Sequence, residues 1–328
     1  MSLPVLTVCA ALGRQGAGVV SAFTSEASPQ YHVRALTSNP ESAAARELAS
    51  KPNVSVVKVD LHSLDSVVAA FEGSTLIFAN TVFPPDVFVK DGAAKAEEAE
   101  ASHGLNIARA AAKTSSLKHL IWSTLPDVLS ETGGKLNIPH FQSKIPAERY
   151  ILEHESGLAN KTTFLRLGLY GSVIERPTYT PVKVDAANAR LLILPIDPDA
   201  VFPFIGDETF NTGLLAKAIF SQPDKTTGTY VNGTIEAVTG RRWASNLEKA
   251  AKAHGKDVRI VFLQSTLSGF EQLWGATGTE IGIMFQFWND YSEHSYDIST
   301  AGRVVLTPRD LGVADQLRGN EDAMVQFL

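Results

Sequence analysis

The first half of the chain alternates between two kinds of segment. Short apolar runs at 5–10, 32–36, 54–59, 75–79, 119–123 and 162–167 are separated by stretches of helical character at 15–27, 42–50, 63–71, 90–114 and 146–154. Several runs, such as VSVVKV, TLIFA and HLIW, are β-rich and almost wholly apolar. That suits parallel strands covered on both faces. The intervals carry helix signals. Ser63 stands at an N-cap position, with Leu64, Val67, Val68 and Phe71 following at helical spacing, and Pro146 suits a first helical turn. Strand–helix alternation of this kind predicts βαβ units in a doubly wound parallel sheet, the α/β Rossmann class, over residues 1–167.

Beyond about residue 168 the alternation stops. Residues 171–207 are rich in proline and poor in helical signals. Helices are expected at 212–221, 243–254 and 279–293, and a strand at 258–263. This half predicts a smaller α+β substrate-side domain over 168–328, some of whose strands can return to the first sheet. FPFIGD (202–207) and FQFWNDY (285–291) are candidates for the wall of an apolar pocket.

Composition narrows the function. Of 328 residues 44% are hydrophobic and 20% charged, as in soluble globular proteins. The net charge of −6, with no block of like charges, argues against a direct nucleic-acid binder, which needs a basic face. No apolar run approaches the ~18 residues that cross a bilayer. MSLPVLTVCAAL lacks a positive n-region and leads into a glycine turn, so it reads as a strand and not as a signal peptide. The single cysteine, Cys9, lies inside the first run and is expected to be a buried, inert thiol. The expected location is cytoplasmic.

The first run, VLTVCAALGRQGAGVV, climbs into Gly13, with Gly16 and Gly18 behind it. In a strand–turn–helix setting such glycines let backbone approach a pyrophosphate and let the helix pack on the strand. The amides and dipole of the helix N-terminus then favour phosphate. The first position of the fingerprint holds Ala10, which is tolerable if its φ stays negative. Standing alone, the loop is as compatible with a purely structural turn as with a dinucleotide site.

The wider sequence resembles the NmrA-like family, a branch of the atypical short-chain dehydrogenases/reductases, in a fungal-type form. AALGRQG resembles the family's GATGxQG loop. VRALTSNP (33–40), VDL (59–61), KHLIWSTLPDV (118–128), TGGKLNIPHFQSK (132–144) and LTPRDLGV (306–313) continue the likeness in order. The resemblance implies an NADP(H)-binding Rossmann domain with a smaller C-terminal domain over the cofactor cleft. It places Gly13, Arg14, Gln15 and Gly16 on the phosphates. It places Asp60 and Leu61 beside the adenine, Ala79, Asn80 and Thr81 beside the ribose, and Leu167, Gly168, Leu169 and Tyr170 near the nicotinamide. Family members commonly carry Arg where this chain has Ser38, so the 2′-phosphate would rest on Arg34, Ser38 and Asn39. The second strand ends without the Asp or Glu that suits NAD, which favours NADP(H).

Typical short-chain dehydrogenases use Tyr-x-x-x-Lys. Here the matching spacing is His140-Phe-Gln-Ser-Lys144. Lys144 is expected on the nicotinamide ribose. His140 is a candidate proton shuttle, or alternatively a hydrogen-bonding group in the pocket wall. Ser123, at the carboxyl end of the fifth strand, stands at the family's active-site serine or threonine, or else simply caps a turn. His103 and His119 read as structural. Asp290, Glu293, His294 and Asp297 read as a solvated helix end, without metal-ligand spacing. Two functions stay open. One is an NADP(H)-dependent oxidoreductase that reduces a carbonyl, imine or iminium group of an apolar small molecule, as in fungal secondary metabolism. The other is a non-catalytic NADP-sensing transcriptional regulator that binds a protein partner.

Overall fold

A computed structural model describes residues 3–25, 29–153, 157–319 and 324–325. In the first half, β1 (Val5–Val8), α1 (Arg14–Thr24), β2 (His32–Thr37), α2 (Ala43–Ala49), β3 (Val54–Lys58), α3 (Leu64–Phe71) and β4 (Ser74–Ala79) follow one another. Then come α4 (Pro85–Asp91), α5 (Ala93–Lys113), β5 (His119–Thr124), α6 (Val128–Glu131), α7 (Pro139–Gln142), α8 (Ile145–Glu153) and β6 (Thr162–Leu167). Residues 26, 27 and 154, the ends of two expected helices, lie outside the described residues. Ser42 and Ser63 cap α2 and α3, accepting from the amides of Ala45 and Ser66.

The second half contributes β7 (Leu169–Tyr170), β8 (Val182–Val184), β9 (Ala189–Leu194), β10 (Val201–Gly206), α9 (Glu208–Ser221), α10 (Pro223–Thr226) and β11 (Tyr230–Gly233). It ends with β12 (Glu236–Thr239), α11 (Gly240–Ala253), β13 (Arg259–Gln264), α12 (Leu267–Tyr291) and β14 (Val305–Leu306).

The central sheet runs β14-β11-β6-β5-β4-β1-β2-β3 and is parallel throughout. Strand order reverses between β1 and β4, and the crevice at their carboxyl ends is where ligands of such sheets sit. Strands β11 and β14 extend this sheet although they belong to the second half, and α9 packs along α1. The second half therefore completes the first.

Two three-stranded sheets, β12-β10-β7 and β13-β9-β8, carry the remainder. Their core gathers Phe202, Phe204, Trp243, Phe285, Phe287 and Trp288, all buried. FPFIGD and most of the aromatics of FQFWNDY thus form core, not an open pocket wall; burying rings of this size is a large stabilising contribution. Helix α12 starts at Leu267, earlier than its sequence pattern implied, and is interrupted at Gly275 (φ 58°, ψ −139°). That backbone is closed to side-chain-bearing residues, so the glycine sets the direction of everything after it.

Candidate active site

The turn after β1 is built by three residues. The Ala10 carbonyl accepts the Gly13 amide at 2.9 Å. Ala10 itself has φ 46°, contrary to the expectation of a negative angle. The chain must reverse sharply to start α1, and the left-handed geometry is imposed on an alanine at a cost on the order of 1 kcal/mol. A Cβ on Gly16 would stand 2.3 Å from the Ala10 oxygen, so no other residue fits there. Gly13 caps α1 without a side chain, leaving the first amides of an 11-residue helix open at the crevice. Arg14 pairs with Glu208 at 3.1 Å and Glu175 at 2.6 Å. Gln15 donates to the Tyr170 hydroxyl at 2.5 Å, which ties the turn to the segment beyond β6. Burial pushes the Tyr170 phenol up to about 12, against the bond from Gln15. Leu167 is buried, and its carbonyl accepts from the Tyr296 hydroxyl at 2.9 Å.

At the outer end of the crevice one expected contact moves away. Arg34 lies mid-strand in β2, and its guanidinium donates to the carbonyls of Ala70 and Glu72 at 2.9 and 2.7 Å. These carbonyls close α3, at the amino edge of the sheet, opposite the crevice. Arg34 therefore serves the C-terminus of a helix and is not placed to hold a 2′-phosphate. Ser38 and Asn39 remain exposed beyond β2, with Asn39 Oδ1 accepting the Glu41 amide at 3.2 Å. Register sets the exposed Lys58 of β3 beside Thr37 of β2. Asp60 is exposed, accepting the His62 amide at 2.9 Å, and the Leu61 carbonyl accepts from Asn106 at 2.8 Å.

The centre of the crevice holds two buried carboxylates, each bonded to a basic side chain. Lys144 Nζ lies 2.7 Å from Glu100 Oε1 and 3.3 Å from Thr81 Oγ1. Glu100 is fully buried on α5 and also accepts from Thr81 (2.7 Å) and Ser143 (2.5 Å). Burial alone would raise its carboxyl, but the charge and bond of Lys144, with the two hydroxyls, hold it below the usual range. Four residues earlier, His140 Nδ1 contacts Glu280 Oε1. Glu280 is held low in the same way, burial being outweighed by His140. Phe83 and Phe141 stand edge-on to the His140 ring. Asn80 is buried beside Thr81, and its Oδ1 has no partner among the described residues. Ser123 is buried at the end of β5, paired in register with Leu165. Sequence reasoning missed both carboxylates: Glu100 sits in an Ala/Glu-rich stretch that reads as solvated, and Glu280 lies 140 residues from its partner.

The other candidates settle as structural features. His119 is buried and bonded to Thr163 at 2.8 Å, and burial lowers it to about 4. His103 packs edge-on against His62 with centroids 4.3 Å apart. His294 is exposed among Glu293 and Asp297, and no described group of three or more His, Cys, Asp or Glu residues has metal-site geometry. Cys9 is buried, its thiol raised to about 12 by desolvation. No described helix is long and apolar enough to cross a membrane.

The sequence profile of the NmrA-like family matches residues 4–308. The chain belongs to the NmrA-like family. The NmrA-like oxidoreductase notA of Aspergillus sp. (strain MF297-2) is 30% identical over 228 residues, which are 67% of this chain and 64% of notA. The match thus falls short of two thirds of the relative's length, as it does for another curated relative. Among solved structures, NmrA, a negative transcriptional regulator crystallised with NADP, superposes with a TM-score of 0.72 at 20% identity, covering 99% of this chain and 95% of its own. The triphenylmethane reductase of Citrobacter sp., complexed with NADP(H), gives 0.67 at 15% identity, covering 98% and 100%. This NmrA-like chain therefore shares its fold with a regulator and with a reductase.

A nicotinamide dinucleotide fits the residues present. The open amides of α1 suit its pyrophosphate. The buried oxygens of Asn80 and of Gln15 have no partner among the described residues and can accept from a donor such as a ribose hydroxyl. Lys144, engaged by one carboxylate and one hydroxyl, keeps a third N–H for a ligand.

Proposed function

We propose that this NmrA-like chain is an NADP(H)-dependent oxidoreductase acting on an apolar small molecule with a carbonyl, imine or iminium group. The observation that carries the reading is the Lys144–Glu100–Thr81 cluster. A lysine fixed at 2.7 Å on a fully buried carboxylate, at the carboxyl end of β4, is a rigid donor where a ribose would lie. When bound, the cofactor supplies a hydride. Lys144 then orients the ribose, the first amides of α1, that of Gln15 among them, hold the phosphates, and His140 carries a proton at the mouth beside Phe83. Ser123 is the second candidate for contact with the reacting group. NADP(H) is favoured over NAD(H) because β2 ends in no carboxylate and Lys58 stands beside Thr37. Fungal relatives described as oxidoreductases make a role in secondary metabolism a natural setting, and we place the protein in the cytoplasm.

The test is consumption of NADPH with carbonyl, imine and iminium compounds, followed by absorbance of the reduced nicotinamide. A true substrate should lose turnover by about a hundredfold or more in K144A. Unchanged turnover in both K144A and H140A would refute the assignment.

A second reading rests on one observation. The sheet β13-β9-β8 aligns Val182, Leu191 and Val261 in one row and Ile193 with Leu263 in the next. Val182, Val261 and Leu263 are 41%, 38% and 46% exposed. An apolar sheet face of this kind suits a protein partner, as a regulator would need. Capture of a partner that protects this face, with no substrate ever consuming NADPH, would favour it.

A further inference from the structure

We propose that Glu280 is a positioning residue for His140: it fixes the imidazole in the Nδ1–H form, so that Nε2 alone exchanges a proton with the substrate. The proposal rests on the oxidoreductase reading for its use, but its geometry stands independently. Nδ1 is engaged by Glu280 Oε1, whereas Nε2 takes no bond from any described residue. The ring is partly accessible, its side chain 27% exposed against 12% for Glu280. A carboxylate behind one imidazole nitrogen fixes the tautomer and stabilises the imidazolium, which leaves the other nitrogen as the proton-bearing atom.

The fold holds Glu280 from the far half of the chain. Gly275 redirects α12, and the segment beyond it is anchored by Ile281, Met284 and Phe285 in the second core. Other charged groups face the pair from several sides. Arg176 acts on Glu280 favourably, and the Tyr179 phenol is raised by burial first and then by the Glu280 charge. Glu97 bonds Asn137 at 3.3 Å, and the Lys144–Glu100 pair lies beyond Ser143, compensated internally. The direct counter-charge of His140 is therefore Glu280. In the reaction a hydride adds to the carbon of the C=O or C=N bond while the proton leaves His140 Nε2 for the heteroatom. Two electrons and two hydrogens are gained by the substrate, the cofactor is oxidised, and neutral His140 recovers its proton from water. A cationic iminium needs no such proton, so Glu280 should matter for neutral carbonyl and imine substrates only.

The experiment is nitrogen NMR of histidine-labelled, ligand-free protein across pH, with H140Q to assign the signal. In the wild type His140 should be protonated at Nδ1 when neutral. E280Q should mix the two neutral tautomers, and E280D should restore most of the Nδ1–H form. In turnover, E280Q should lower kcat for a neutral substrate with KM little changed. Wild-type His140 protonated at Nε2 when neutral, or an unchanged tautomer in E280Q, would overturn the proposal without any variant having to turn over. If the NMR result holds and no substrate consumes NADPH, the positioning role stands and the oxidoreductase reading falls.

Discussion

Lys144 and His140 lie four residues apart, yet their carboxylates come from different halves of the molecule. Glu100 belongs to α5, packed on the same sheet as Lys144, and is sealed from water with three donors around it. Glu280 arrives from α12 across 140 residues and stays slightly open. The first pair lies wholly within the first half of the chain, and the second is closed across the two halves. On the proposed reading, cofactor binding and proton delivery would rest on separate cores, and each could be disturbed without the other.

The largest effect should come from the sealed pair. E100Q leaves Lys144 without its counter-charge beneath the crevice, and denaturant unfolding should show a loss of about 3–5 kcal/mol. The wild-type contribution has a defined pH window. A carboxyl held low in the folded state stabilises above its unfolded value and ceases to do so as pH falls through the folded one. The difference between wild type and E100Q should therefore shrink in acid. Equal losses from E100Q and E280Q would break the contrast between the two pairs.

His119 sharpens the comparison as a buried titratable group with no carboxylate. Its folded value of about 4, against 6.5, means that only the unfolded chain gains the proton between these limits. Stability should fall as pH drops from about 6.5 to 4, by on the order of 3 kcal/mol. H119N should flatten that part of the curve relative to wild type. Next comes Lys58, an exposed cation at the end of β3 that on the proposed reading stands at the cofactor's outer end. K58A should weaken NADPH by about tenfold, roughly 1.4 kcal/mol, and leave NADH unchanged in titrations. The smallest effect is A10G, which removes a left-handed alanine and should raise stability by about 1 kcal/mol.

Much of the first half was legible because a buried parallel strand and a capped helix each leave a local trace. The runs at 32–36, 75–79 and 162–167 reappear as β2, β4 and β6 within a residue or so. The second half left a trace of its helices and of one strand, since the stretches at 212–221, 243–254, 258–263 and 279–293 reappear in α9, α11, β13 and α12, but its other strands left none. Strands of two to six residues, such as β7 and β9, owe their existence to neighbours that arrive from elsewhere in the chain. The site divided along the same line. Gly16 and Lys144 announce themselves by spacing. Glu100 looks like any glutamate on an exposed helix until Lys144 and Ser143 close over it, and Glu280 has no local signal at all. Arg34 misled because spacing along a strand does not say which edge of the sheet a long side chain reaches.

The central claim is that the turn after β1, with Lys144, holds a nicotinamide dinucleotide. Calorimetric titration of the wild type and K144A with NADPH and with NADH tests it most directly. The expected result is saturable heat with both cofactors, tighter for NADPH, and weaker for either in K144A. No heat from either cofactor at concentrations found in cells would contradict it.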